Sequence, residues 1–167
     1  MNAISLKLMS PKTITEGVRK LLSELSLNEK DVVYLEFTKP KKFKPAPTEC
    51  HLNVWVQCTK EGGAGVSGWM IAEDPKHHFV EAQYHTVWKS PSGKLIDITP
   101  RTDKEHKVLF VPDHARPISF REQDGNIVFI IYTNCKMQFK KIITGIERKA
   151  IVSTSSFALK HGFYKKG

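Results

Sequence analysis

The chain has 167 residues, 40% of them apolar and 26% charged, and carries a net charge of +9. That balance predicts one soluble domain over 1–167 with a core of its own. The lack of an 18-residue apolar run excludes a helical membrane span. The start, MNAISLKLMSPKT, has no long apolar segment of the secretory kind. Cys50, Cys58 and Cys135 are odd in number and widely spaced, which excludes a disulfide framework and predicts a reducing, cytoplasmic setting.

In chain order, Ile14, Val18, Leu21, Leu22 and Leu25 form one apolar stripe and predict an amphipathic helix over 13–27. Thr13 and Glu16 have capping-box spacing at its start. DVVYLEF, 31–37, reads as a strand. KPKKFKPAP at 39–47 reads as a loop, and its lysines form the first of two basic clusters. A second helix follows, with Thr48 as its N-cap and Cys50 in its first turn; Leu52, Trp55 and Val56 share its apolar face, and GGAG at 62–65 ends it. The next segments read as a run of strands, down to NIVFIIYTN at 126–134. The segment 136–167 fits helices and strands equally well. It holds the second basic cluster, eight lysines and arginines against the single acid Glu147. The order helix, strand, loop, helix, strand meander predicts an α+β fold with its helices on one side of an antiparallel sheet.

The stretch YHTVWKSPSGKLIDITP, 84–100, places an ionisable residue on each arm of a half-buried hairpin. Two such groups are costly in a sheet core unless they satisfy each other. Pro91-Ser92-Gly93 suits a three-residue loop, with proline in the first position and glycine in the left-handed third. Ser90 then faces Lys94, Val87 faces Asp97, and His85 becomes the diagonal neighbour of Asp97 on one face. A two-residue loop would send them to opposite faces. Gln83 shares the His85 face.

Cys50 occupies the first turn of its helix, where the helix N-terminus favours a thiolate and free N–H groups can hold an oxyanion. It also lies off the Leu52/Trp55/Val56 stripe. A thiol is mostly protonated at pH 7 and needs a histidine, itself oriented by an acid, to become a nucleophile. Cys50, His85 and Asp97 supply those types in that order.

Cysteine at a helix start, histidine on a strand some 35 residues later and aspartate on the next strand, above all within HTVWKSPSGKLIDITP, resemble the transglutaminase-like branch of the papain-like cysteine enzymes. The resemblance covers about residues 45–101. That branch includes arylamine N-acetyltransferases, bacterial peptidases and amidases, and protein-crosslinking enzymes. The resemblance implies a papain-like/transglutaminase-like fold without a cofactor, with Cys50 as nucleophile, His85 as general base and acid, and Asp97 as its orienter. It implies a thiol hydrolase or acyltransferase acting on an amide, ester or thioester, with a protein or peptide substrate; the basic surface favours an acidic or nucleic-acid-associated one. The chain departs from the family pattern in its lead-in, Pro47-Thr48-Glu49, where a glycine is common, and in lacking an upstream glutamine for the oxyanion. Asn53, one turn beyond Cys50, is a polar lining residue or a surface residue. Trp69 is an aromatic wall of the cleft or a core side chain, and Gln83 is a third substrate-binding candidate.

Two other readings compete. Cys50, His51, Cys58, His77, His78, His85 and Cys135 are ligand types, but none forms a CxxC pair or an HExxH helix, so no metal is expected. The clusters at 39–44 and 136–166 would suit a non-enzymatic module that binds nucleic acid or an acidic protein.

Overall fold

The computed structural model describes residues 5–103 and 105–166. Residues 1–4, the head of the stretch read above for a secretory signal, lie outside the described residues. So do positions 104 and 167, which fall within the expected 1–167 domain.

The expected α+β class is observed. Helix α1, Glu16–Glu24, is shorter than the 13–27 expected, and its N-cap is Thr15, whose hydroxyl accepts from the Val18 N–H. The Thr13/Glu16 capping box does not form, because the cap is Thr15 and Glu16 becomes the first helical residue, its carboxylate paired with Lys140. The apolar stripe is confirmed. Val18, Leu21 and Leu22 are fully buried, each contributing about 1.5–3 kcal/mol by leaving water.

Strand β1, Val33–Glu36, leads to the lysine-rich loop and then to helix α2, Cys50–Glu61. Strands β2, Ala64–Asp74, and β3, Phe79–Lys89, pair antiparallel along their full length. A short strand β4, Leu95–Ile96, and β5, Lys107–Pro112, follow. Then come β6, Ser119–Gln123, β7, Asn126–Tyr132, β8, Cys135–Gln138, β9, Lys141–Thr144, and β10, Arg148–Ile151. Helix α3, Ser156–Lys160, closes the list of elements.

Among the described residues these strands form two sheets, not one meander. The larger runs β1-β5-β2-β3-β8-β9, with β4 also paired to β3. The smaller runs β10-β7-β6. The larger sheet curls until Phe37, just past β1, bridges Asp97, just past β4. Leu35, Val87, Val108 and Phe110 fill the inside of the curl. Helix α1 covers the opposite face over Trp69, Ile71, Ala82 and Leu109. Helix α2 lies on the same side, with Val54 on Trp88 and Ile98. Its far flank is roofed by the smaller sheet and α3 through Leu52, Val56, Phe129, Phe157 and Phe163.

Gly68 matters for this geometry. It sits opposite His85 on β3 and Pro112 on β5. A Cβ there would lie 2.1 Å from the Val111 carbonyl oxygen, so only glycine lets β5 approach.

Candidate active site

The hairpin carries the first half of the site. Ser90 N–H donates to the Lys94 carbonyl at 2.9 Å, Gly93 N–H donates to the Ser90 carbonyl, and Gly93 adopts φ +89°. Trp88 and Ile96 are partners, as are Lys89 and Leu95. This is the register of a three-residue loop with glycine in the left-handed position. The diagonal then brings His85 Nε2 to 3.1 Å from Asp97 Oδ1. Both side chains are buried, and Thr99 N–H donates to the same carboxylate oxygen at 3.3 Å.

A gap in the sheet admits the second half. One edge of β3 is taken by β2 throughout. The other edge carries β8 at residues 79–82 and β4 only at 88–89. Between them, 83–87 have no strand partner; the Tyr84 N–H is satisfied by the Asn134 side-chain carbonyl at 3.0 Å. The N-terminus of α2 meets β3 at this free stretch. There it reaches side chains from both faces of the strand: Cys50 shares a cleft with His85, and His51 touches Thr86.

Cys50 is the first residue of α2. The N-cap is Glu49, not Thr48, and it makes no side-chain cap; its carboxylate accepts from the Ser153 hydroxyl at 2.6 Å. The first-turn N–H groups are therefore left to a ligand or to water. Thr48 occupies the left-handed region at φ +65°, which an L-residue adopts at a cost of about 1–2 kcal/mol. That is the conformation glycine would take without strain, which explains how the Pro47-Thr48-Glu49 lead-in still delivers Cys50 to the cleft.

The electrostatics follow from this packing. Burial opposes a charged Cys50, but the neighbouring His51 and His85 rings outweigh it and hold the thiol well below its ordinary value of 9.0. Burial likewise opposes a charged His85. The facing Cys50 sulfur and the hydrogen bond to Asp97 overturn that and raise the imidazole to about 10. Each group thus favours the ionised form of the other. By contrast, burial pushes the Cys58 and Cys135 thiols up.

The cleft in front of Cys50 measures about 440 Å³ and is bordered by Thr48, Met70, Gln83, Tyr84, Arg101 and Asn134, among others. Gln83 lies on this wall, as its position beside His85 requires. Trp69 does not. It is fully buried on the α1 face, with its indole N–H donating to Asp113 Oδ2 at 2.8 Å, because strand alternation turns it away from the side to which Met70 points. Asn53 is neither a lining nor a surface residue. It is fully buried, its amide N–H groups donating to the Ala46 carbonyl and the Thr99 hydroxyl while its carbonyl accepts from the Ala46 N–H. It ties the cysteine helix to the loop before it and to the segment after Asp97.

His51 is the residue that sequence reasoning passed over as a member of this site. Its Nδ1 lies 3.6 Å from Cys50 Sγ. Among the described residues, no group of three or more His, Cys, Asp or Glu side chains is placed to hold a metal ion. No described helix is long and apolar enough to cross a membrane. A scan of protein-family models gives no match to the chain, and neither curated proteins nor solved structures give a significant one.

Proposed function

We propose that the protein is a cysteine-dependent acyl-transfer enzyme, a thiol hydrolase or acyltransferase of the papain-like/transglutaminase-like kind, with Cys50 as nucleophile, His85 as acid and base, and Asp97 as orienter. The observation that carries this reading is the buried His85–Asp97 pair beside a cysteine at a helix N-terminus, whose thiol that pair helps to hold ionised.

The resting site is a thiolate facing an imidazolium. The sulfur attacks the carbonyl carbon of an amide, ester or thioester, and a C–S bond forms while the carbonyl electrons move to oxygen. The uncapped N–H groups of the first α2 turn can receive that oxyanion. Collapse breaks the bond to the leaving nitrogen, oxygen or sulfur, which takes the proton from His85. Neutral His85 then accepts a proton from water or an amine as it attacks the thioester. Breaking the C–S bond restores thiolate and imidazolium. Water makes the enzyme a hydrolase, and an amine makes it a transferase. Asp97 keeps His85 Nε2 occupied, so that Nδ1 remains for the sulfur. Gln83 and Arg101 on the cleft wall contact the substrate, a protein or peptide recruited through the basic surface, and free thiols at Cys50, Cys58 and Cys135 suit a reducing, cytoplasmic setting.

Alkylation of Cys50 as a function of pH, located by mass spectrometry, tests the reading. A thiolate that reacts well below pH 7 and is suppressed in His85→Ala is expected. A Cys50 that titrates near pH 8.5 in both proteins would remove the ion pair and leave the basic clusters, as a surface for nucleic acid or an acidic protein, to carry the function.

A further inference from the structure

His51 has no part in the mechanism just given, yet its ring lies within hydrogen-bond reach of the nucleophile. Its Nδ1 stands 3.6 Å from Cys50 Sγ and 2.8 Å from the hydroxyl of Thr86. Thr86 is buried, and among the described residues His51 is the hydrogen-bond partner of its hydroxyl. The ring packs against two aromatic neighbours, at 29° to Phe129 with centroids 6.2 Å apart and at 44° to Tyr84 at 5.9 Å. Consecutive helix residues diverge by about 100°, so contact between the side chains of residues 50 and 51 is not a routine result of helix geometry. It arises here because α2 begins at the free edge of β3.

The histidine is held by a hydroxyl and two aromatic rings, with Nδ1 within reach of both that hydroxyl and the sulfur. We propose that His51 is a second catalytic histidine of this site, donating its Nδ1–H to the Cys50 sulfur. The proposal rests on the acyl-enzyme reading above. Thr86 Oγ1 shares the hydrogen and sets the ring. The work falls where sulfur carries negative charge: in the resting thiolate, and when the C–S bond of the acyl-enzyme breaks and its electron pair returns to sulfur. No proton leaves His51 in either event; His85 makes every transfer. The titratable and charged groups that surround Cys50 are then His51 from α2, Tyr84 and His85 from β3, and Asp97, Arg101 and Asp103 from the segment after β4.

The test compares the Cys50 alkylation profile of the wild type with those of His51→Phe, His51→Asn and His85→Ala. Asparagine can place an amide N–H where Nδ1 stood. His51→Phe is expected to raise the apparent Cys50 pKa by about one unit and slow alkylation near pH 6 about tenfold, the size of one charge-assisted hydrogen bond. His51→Asn is expected to recover most of that loss. A His51→Phe profile equal to the wild type's would overturn the proposal, and a profile still lost in His85→Ala would show that the acyl-enzyme reading survives it. A wild-type Cys50 that titrates as an ordinary thiol would sink both. Should His51→Phe not fold, ¹⁵N NMR of histidine-labelled wild type decides. A protonated Nδ1 whose signal moves when Cys50 is alkylated supports the donor role, whereas an unprotonated Nδ1 has no hydrogen to give and refutes it.

Discussion

Replacing Asp97 by asparagine removes a charge while keeping an acceptor oxygen for both His85 Nε2–H and the Thr99 N–H. The Nε2–Oδ1 separation is 3.1 Å, but each charge is spread over its group, so about 4 Å is a fair distance between charge centres. At an effective dielectric of about 20, that pair attracts by about 4 kcal/mol, or about three pK units. His85, raised to about 10 in the native protein, is therefore expected to fall toward neutrality in Asp97→Asn. The Cys50 thiolate, which depends on the imidazolium, should become correspondingly rarer at low pH. The assay is the rate of iodoacetamide alkylation between pH 4 and 10, with Cys50 separated from Cys58 and Cys135 by peptide mass spectrometry. Alkylation near pH 6 should slow by about two orders of magnitude in the variant, with thermal stability reduced only modestly. An unchanged profile would mean that the Asp97 charge does nothing for His85, and the electrostatic argument would fail.

Other consequences are open to direct measurement. Thr48→Gly relieves the left-handed strain before Cys50 but frees the unfolded chain, so a net gain of about 0.5–1 kcal/mol in urea unfolding is expected; a loss would show that the Thr48 conformation is unstrained. Asn53→Ala leaves the Ala46 N–H and the buried Thr99 hydroxyl without their partner and should destabilise the fold by about 2–4 kcal/mol, checked by denaturant melts. Acyl transfer should fail on the alkaline side as pH rises through about 10, where His85 loses the proton it gives to the leaving group. The sign for stability is the same. A histidine raised from 6.5 to about 10 contributes fully below 6.5, and the contribution is lost as pH rises through about 10. Melts that show no His85-dependent loss over that window would contradict the raised value.

The hairpin was legible in the sequence because its turn is written in local chemistry. Proline and glycine at Pro91 and Gly93 set the loop length, loop length set the register, and register put His85 beside Asp97. The start of α2 was legible for the same reason, to within one residue at the cap. What sequence did not disclose depends on distant partners. The choice of β8 as a neighbour of β3 opens the gap at 83–87, and nothing local to either strand announces it. His51 joined the site only because of that gap. Trp69 faces away from the cleft because its neighbour Gly68 lies opposite His85, and that register between β2 and β3 is not written in either strand alone. The tail resisted assignment because β8, β9 and β10 are short and the outer two are largely exposed, which erases the period-two signal. The Thr13 cap failed by two residues, as Thr15 offers the same chemistry.

The central claim is that Cys50 forms a covalent acyl intermediate. The most direct measurement is intact-protein and peptide mass spectrometry after brief exposure to an activated acetyl ester near pH 6, in the wild type, Cys50→Ala and His85→Ala. A single acetyl group on the peptide that holds Cys50, discharged by an added amine and missing from both variants, is the expected result. Acetylation spread over lysines, or equal labelling of Cys58 and Cys50, would contradict it.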